Sequence, residues 1–169
     1  MRRILFLGLI LGVHVVWAQQ GENQRWSNAI FRGNYQRSGV VDEPPARTRP
    51  RLKWEVDVKG PCAPVLFDGT LYTGESFWFP MHDIGNMAAE VYAIGLKNGK
   101  RRWSFEIEGP LGSPPLATKA NVYIGTLGGH LYALERESGK LKWHLRDPAG
   151  GAITTSPVLI DKTLYYANW

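Results

Sequence analysis

VYAIGLKNGKRRW at residues 91–103 and LYALERESGKLKW at residues 131–143 repeat each other at an offset of 40 residues. Each copy consists of an apolar segment, a turn that contains Gly, and a basic segment that ends in Trp. A second block, at residues 63–72, returns at residues 114–123 and again at residues 156–165. Periods of about 40 residues are typical of propellers and other stacked repeats. We therefore expect the chain to consist of copies of one supersecondary unit.

The spacing inside each unit predicts four short antiparallel strands. Asp68-Gly69 is a strong hairpin signal because both central residues of a type I′ turn need a positive φ. Asn98-Gly99 marks a second turn. Strands are expected at residues 63–67, 70–75, 90–95 and 100–106 in the first unit, at 113–118, 122–126, 130–135 and 140–146 in the second, and at 154–160 and 163–169 in the third.

Four-stranded units of this length, with Gly and an aromatic residue at fixed places, predict an all-β fold. The expected architecture is a partial β-propeller of four-stranded antiparallel blades. About two and a half blades are present, and residues 52–56 resemble the outermost strand of a further one. A linear β-solenoid is the alternative fold, but its rungs are usually shorter and lack this hairpin spacing.

Both repeats resemble the tryptophan-docking repeat of the pyrroloquinoline-quinone-like β-propeller family, whose pattern is Ala-x-Asp-x-x-Thr-Gly-x-x-x-Trp. The Asp position holds Gly95 or Glu135 and the Thr position holds Asn98 or Ser138, so capping of the turn is expected to be weaker or differently made. Residues 26–39 resemble the lead-in before the first blade of exported members. The expected docking motif between blades is Ala93, Gly99, Trp103, Ala133, Gly139 and Trp143.

The same resemblance implies a longer protein. Members of this family commonly close eight blades, so we expect this chain to be the N-terminal piece of such a ring. In a closed propeller the far end of the chain would supply the hairpin strands that are missing before residues 52–56. The alternative is a short natural protein that completes a ring by self-association.

Residues 1–18 have the features of a secretory signal peptide: Arg2-Arg3, an apolar run, and Val16-Trp17-Ala18 as the cleavage site. The apolar run at residues 4–17 is shorter than the roughly 20 residues that span a bilayer. We expect a periplasmic or secreted protein without a transmembrane segment after signal removal and without a lipid-anchoring Cys. The predicted organisation is a signal peptide at residues 1–18, a lead-in segment at 19–51 and an incomplete propeller domain at 52–169.

The net charge and the cysteine content limit the possible partners and chemistry of the protein. The net charge of +5 falls to +3 without the leader, since 18 basic residues then face 15 acidic ones. This excess is too weak to argue for a nucleic-acid partner. Cys62 is the one cysteine. It is expected to be a small buried hydrophobe, with a reactive or intermolecular thiol as the alternative.

The longest departure from the repeat lies at residues 76–89, where the second unit has only residues 127–129. Blade geometry places this connection on the face that carries the crossovers, where propellers usually bind. A loop folded over the blade edge is the alternative, and a metal at His82-Asp83 is poorly supported because adjacent side chains diverge. The candidate partner or ligand loop consists of Phe77, Trp78, Phe79, His82 and Asp83.

Few other residues suggest chemistry. His130 and His144 are expected to be ordinary strand positions. The sequence contains no phosphate-binding loop, no nucleophile elbow and no recognisable pair of carboxylates. No catalytic, cofactor-binding or metal-binding residue is therefore assigned, and enzymatic activity is not expected from these residues.

The resemblance leaves two functions open. The preferred one is an exported scaffold for binding or assembly, acting through loops on one face on a protein or small extracytoplasmic ligand. A close analogue is the propeller subunit of the outer-membrane β-barrel assembly machinery. The alternative is the N-terminal part of a pyrroloquinoline-quinone-dependent dehydrogenase, since the family includes such enzymes. Pyrroloquinoline quinone and calcium are expected only under that alternative.

Overall fold

The computed structural model describes residues 51–76 and 87–169, together with the backbone of two short strands nearer the N-terminus. The strands in these parts of the chain are β1 (Gly12–Trp17), β2 (Ser27–Asn28), β3 (Arg51–Asp57), β4 (Val65–Phe67), β5 (Thr70–Gly74), β6 (Ala88–Gly95), β7 (Arg101–Glu108), β8 (Leu116–Ala117), β9 (Asn121–Gly125), β10 (His130–Glu135), β11 (Leu141–Arg146), β12 (Val158–Ile160) and β13 (Thr163–Tyr165).

The strands form antiparallel sheets that repeat along the chain. β4, β5, β6 and β7 lie side by side in that order as the first blade, and β2 adds a fifth strand beside β4. β8 to β11 form the second blade in the same order. β12 and β13 pair as a hairpin in the third unit. The prediction of four-stranded antiparallel blades is confirmed.

The innermost strand of each unit is shorter than predicted. β4, β8 and β12 each begin directly after a proline, namely Pro64, Pro115 and Pro157. Proline has no backbone N–H to donate to a neighbouring strand, so a ladder tends to start after it. The alternating sequence pattern predicted strands that include these prolines. The observed strands are shorter because the prolines have no N–H to donate.

β1 lies within the predicted signal peptide, and β2 lies within the predicted lead-in. The backbone of β1 pairs with β3, from Gly12 opposite Asp57 to Trp17 opposite Arg51. Cleavage of the leader after Ala18 would free the edge of β3 that β1 occupies, and a free edge can pair with another strand. The signal peptide and the domain boundaries stay predictions.

Both faces of the first blade are buried, which explains its long apolar runs. On β6, Val91 and Ala93 belong to a core shared with the second blade. Tyr92 and Ile94 point the other way, into a cluster that includes Trp54 of β3. Because side chains alternate along a strand, two buried faces require apolar residues at nearly every position.

The turns between the first two strands of a unit differ in sequence. Between β4 and β5, Asp68 and Gly69 have φ values of 46° and 67°, as a type I′ turn requires. Between β12 and β13, Asp161 and Lys162 have φ values of 46° and 70°. Lys162 therefore has the positive φ that glycine has in the first unit, although its Cβ disfavours that conformation.

Replacing Lys162 with Gly is expected to stabilise the protein by about 0.5–1 kcal/mol. Glycine escapes the steric penalty of about 1–2 kcal/mol but loses more conformational entropy on folding. Urea unfolding followed by far-ultraviolet circular dichroism measures the change. Lys162→Ala removes the charge and keeps the Cβ, so it should stay close to wild type. Equal stability of the two variants would refute the turn assignment.

Candidate functional site

The indole of Trp103 joins the two complete blades. Trp103 lies on β7 and is 8% exposed. Its Nε1–H donates to the carbonyl oxygen of Arg136 at 2.9 Å. A Cβ added to Gly139 would lie 2.6 Å from the same ring. The indole thus lies against the backbone of the turn between β10 and β11, where only glycine leaves room for it.

Trp54 of β3 docks on the first blade in the same way. Its Nε1–H donates to the carbonyl oxygen of Leu96 at 2.8 Å. A Cβ on Gly99 would lie 2.7 Å from its ring. In both contacts the accepting carbonyl precedes the glycine by three residues. The sequence analysis did not include Trp54 in the docking motif, although the likeness of residues 52–56 to an outermost strand was a signal for it.

The repeated alanines sit beneath the aromatic residues of their own blade. Ala93 pairs with Trp103 on one side and with Tyr72 on the other. The two rings meet above it at 6.0 Å between centroids. Ala133 lies in the same way between Tyr123 and Trp143, whose rings are also 6.0 Å apart. A side chain larger than alanine would push these rings apart.

Trp143 has the same surroundings within its blade as Trp103 but remains 40% exposed. No turn docks on its indole in the described part of the chain. Leu145, two residues further along β11, is exposed as well. β11 therefore presents an apolar face that corresponds to the face β7 buries against the second blade.

The docking turns are capped by side chains other than those of the family pattern. The Asn98 side-chain oxygen accepts a hydrogen bond from the backbone N–H of Lys100 at 3.0 Å. The Ser138 hydroxyl oxygen accepts one from the N–H of Lys140 at 3.2 Å. Ser138 also donates to the carboxylate of Glu135. Capping is thus differently made, as the sequence indicated.

The connection between β5 and β6 starts and ends beside the crossovers between blades. The N–H of Ser76 donates to the carbonyl of Gly60 at 2.7 Å, and its hydroxyl donates to the carbonyl of Leu111 at 3.1 Å. The N–H of Gly109 donates to the carbonyl of Met87 at 2.7 Å. We call this end of the blades the loop face. The candidate loop residues Phe77, Trp78, Phe79, His82 and Asp83 lie between these anchors, outside the described residues.

Two carboxylates and a phenol meet at the base of this loop. The hydroxyl of Tyr92 lies 3.1 Å from Glu75 Oε1 and 2.8 Å from Glu90 Oε2. Burial and then these carboxylates raise the pKa of Tyr92, so the phenol stays protonated and donates. The guanidinium of Arg101 lies 4.3 Å from the centre of the ring. The sequence analysis missed the carboxylate pair of Glu75 and Glu90, because these residues come together only when β5 pairs with β6.

His130 and His144 are strand positions, as expected, and their side chains also come together. His130 Nδ1 and His144 Nε2 are 2.8 Å apart. The contact joins two positions on adjacent strands, β10 and β11. Sequence spacing carried no signal for it, since the pair depends on the hairpin register.

Cys62 belongs to the core shared by the two blades. Burial raises the pKa of its thiol to about 11, so the thiol is protonated and poorly nucleophilic at neutral pH. Within residues 51–76 and 87–169, no group of three His, Cys, Asp or Glu side chains could hold a metal ion. The same residues include no helix of the length and apolarity that a bilayer crossing needs.

Comparison with known proteins places this geometry in a family. The family model PQQ_2, described as "Outer membrane protein assembly factor BamB", matches residues 16–168. The "Outer membrane protein assembly factor BamB" of Alkalilimnicola ehrlichii is 29% identical over 145 residues, covering 80% of this chain and 34% of that protein. The "Quinoprotein ethanol dehydrogenase" of Pseudomonas putida is 26% identical over 108 residues, covering 57% of this chain and 16% of that protein. The chain thus spans about a third of the assembly factors it matches.

Solved structures agree on the fold. A europium-containing methanol dehydrogenase matches with a TM-score of 0.65 at 16% identity, covering 83% of this chain and 27% of that one. BamB from Moraxella catarrhalis matches with a TM-score of 0.52 at 20% identity, covering 73% and 35%. The expectation of a partial β-propeller is confirmed. Together with the family match over residues 16–168, this shows that the chain belongs to the BamB-like family of β-propellers with pyrroloquinoline-quinone-type repeats.

Proposed function

We propose that the protein is exported and acts as a scaffold in the assembly of outer-membrane proteins. In this proposal the stiff blades hold the loop face in place, and the loop at residues 77–86 contacts another protein of the cell envelope. The observation that carries the proposal is the anchoring of both ends of this loop to the crossovers by Ser76 and Met87. The match to assembly factors supplies the kind of process.

The blades are suited to this role because they are packed rigidly. Trp54 and Trp103 each attach a strand to the next blade through a ring contact and a hydrogen bond. Connections on such a scaffold often carry the residues that bind a partner. Aromatic residues and methionine are enriched in the cores of protein interfaces. Residues 77–81 have the sequence Phe-Trp-Phe-Pro-Met.

The proposed ring extends beyond the described residues. The exposed face of β11 has the tryptophan that docks on a neighbouring blade elsewhere in this chain. In the complete protein, a further blade would cover Trp143 with a turn like those at Gly99 and Gly139. Release of β1 with the leader would leave β3 free to pair with a strand of the last blade.

Photo-crosslinking tests the loop contact. We place a photoreactive phenylalanine analogue at position 79 and express the complete protein in its own host. Adducts with a component of the outer-membrane assembly machinery are expected after irradiation. The matched control carries the same analogue at Lys119, an exposed position in the turn between β8 and β9 at the opposite end of the strands. Adducts of equal yield at both positions, or none at position 79, would reject the proposal.

A second candidate function rests on the similarity to a quinoprotein ethanol dehydrogenase over 108 residues. The residues described do not provide a calcium site, because no group of three metal-ligating side chains occurs in residues 51–76 and 87–169. We therefore assign no residue to that cofactor and derive no reaction step. The part of the protein beyond this chain would have to supply such a site.

An activity assay separates the two functions. The complete protein is incubated with pyrroloquinoline quinone and Ca²⁺, and reduction of a redox dye is followed with alcohols and with aldoses. The scaffold proposal predicts the same rate with and without the quinone. Reduction that requires the quinone, calcium and a substrate would establish the dehydrogenase instead.

A further inference from the structure

A chain of polar side chains crosses from the first blade to the second at the loop face. It begins at Glu108, the last residue of β7, whose Oε2 lies 3.7 Å from His130 Nε2. The other nitrogen of that ring, Nδ1, lies 2.8 Å from His144 Nε2. His130 is 5% exposed. One buried imidazole therefore contacts a carboxylate of the neighbouring blade and a second imidazole of its own blade.

Tyr132 ties the same groups together. Its hydroxyl accepts a hydrogen bond from the backbone N–H of Glu108 at 3.0 Å, which is a second contact between the blades. Its ring stacks on His144, with 4.4 Å between centroids and 6° between planes. The position of the His144 ring is thus coupled to a hydrogen bond that crosses the interface.

The first blade lacks this arrangement. At the offset of 40 residues, His130 corresponds to Glu90 and His144 corresponds to Ser104, whereas Tyr132 corresponds to Tyr92. Glu90 contacts the tyrosine hydroxyl directly. Blade packing in this fold therefore does not require the histidine pair, and the second blade has it as an addition.

We propose that Glu108, His130 and His144 form a pH-sensitive latch between the first and second blades, closed at neutral pH and opened when both imidazoles are protonated. The contact between the two facing nitrogens requires one donor and one acceptor. A neutral pair satisfies this requirement, and so does a pair with one additional proton. A second additional proton makes both nitrogens donors, which removes the hydrogen bond and sets two positive charges against each other.

Burial resists that second proton, whereas the neighbouring charges act in both directions. Burial is the main cause that lowers the pKa of His130, with His144 and Arg146 on β11 acting in the same direction. Glu108 of β7 opposes them. Asp147 follows Arg146, but its carboxylate accepts hydrogen bonds from Tyr166 and from the N–H of Ala149. The ring of Tyr132 also faces His130, with 6.2 Å between centroids, and burial raises the pKa of its phenol, which stays uncharged at these pH values.

The direction of the pH effect follows from this lowering. Unfolded histidines have a pKa of about 6.5, so between that pH and the lower pKa of folded His130 the unfolded chain binds more protons than the folded chain. Stability due to the latch is complete above about pH 6.5 and falls as the pH decreases through the lower pKa of the folded state. For one proton, the equilibrium constant for local opening of the contact between the blades rises by up to about tenfold per pH unit.

The residues of the latch do not form a metal site. Among the described residues, Glu108 and the two histidines do not form a group able to hold a metal ion. The short contact between the imidazole nitrogens also occupies one donor atom of each ring.

Hydrogen exchange detected by nuclear magnetic resonance tests the proposal on the complete protein. Between pH 7 and pH 5, after correction for intrinsic exchange, protection of the Glu108 amide is expected to fall at least tenfold. The Glu135 amide, which donates to Lys140 within the second blade, is the internal control and should keep its protection. Unchanged protection at Glu108 would overturn the proposal.

The double variant His130→Gln with His144→Ser removes both imidazoles of the latch. Serine is the residue that the first blade has at the position equivalent to 144, namely Ser104. In the double variant, Glu108 protection is expected to vary less than twofold over the same pH range, and Lys119→Gln, at an exposed position at the opposite end of the strands, is the control that should behave as wild type. A latch-free variant with the wild-type pH dependence would overturn the proposal. If the double variant does not fold, titration of the His130 and His144 imidazoles in the wild type, followed by nuclear magnetic resonance, decides the question. Two separate protonation steps, one of them clearly below pH 6.5, would support the latch. Two protonation steps near pH 6.5 would reject it.

Discussion

Replacing Trp103 with Ala is expected to lower the free energy of unfolding by about 3–5 kcal/mol, the usual range for a large aromatic residue in a core. The substitution empties the space between the blades and removes the hydrogen bond to the Arg136 carbonyl. It also ends the contact with the Tyr72 ring. Urea unfolding followed by far-ultraviolet circular dichroism measures the loss, since the signal reports the strands of both blades.

Trp143→Ala is the matched control for this substitution, because Trp143 contacts the equivalent tyrosine of its own blade, Tyr123, but is 40% exposed. In the chain of 169 residues, its loss is expected to be about 1–2 kcal/mol, in proportion to the smaller area that it buries there. A loss below about 1 kcal/mol for Trp103→Ala would refute its role in blade packing. Equal losses for both variants in the complete protein would show that a further blade covers Trp143, as the proposed ring requires.

Replacing Gly139 with Ala is expected to destabilise the protein by at least about 3 kcal/mol. A Cβ at this position costs about 1–2 kcal/mol for the positive φ alone. It would also lie 2.6 Å from the Trp103 ring, so the indole must move and lose its hydrogen bond. The same unfolding experiment measures the sum of the two effects.

Gly69→Ala separates these effects. Gly69 has a φ of 67°, close to the 71° of Gly139, but no atom lies within 4 Å of a Cβ added there. Its loss should therefore be limited to about 1–2 kcal/mol. In the double variant Trp103→Ala with Gly139→Ala, the alanine at 139 should cost no more than it does at 69, because the clash is gone. Equal losses for the two single glycine variants would contradict ring docking on Gly139.

The blade architecture could be predicted because it is encoded in local patterns. The Asp68-Gly69 turn and the alternation along each strand depend only on residues that are close in sequence. The period of 40 residues then shows that this local pattern returns from blade to blade. The strand ends were less predictable at the inner edge, where Pro64, Pro115 and Pro157 remove donors from the ladder. The positive φ of Lys162 carried no sequence signal, since the turn there is imposed by strand pairing.

The candidate site was predicted in part. Ala93, Gly99 and Trp103 were identified by their repetition, but the carbonyl groups of Leu96 and Arg136 that accept the indole hydrogen bonds have no side-chain signature. The carboxylate pair of Glu75 and Glu90 also had none, since it forms by strand pairing over 15 residues.

The sequence by itself determined that the chain forms four-stranded β-propeller blades, and it singled out the repeated Ala, Gly and Trp positions, because repetition reveals which positions every blade needs. Only the tertiary structure decided which of the equivalent positions are covered: Trp103 is buried and Trp143 is exposed. It also decided which polar groups meet, as His130 does with His144 and Glu108. The physical reason is that burial and hydrogen bonding depend on the neighbouring blade, which a repeat pattern within one blade does not specify.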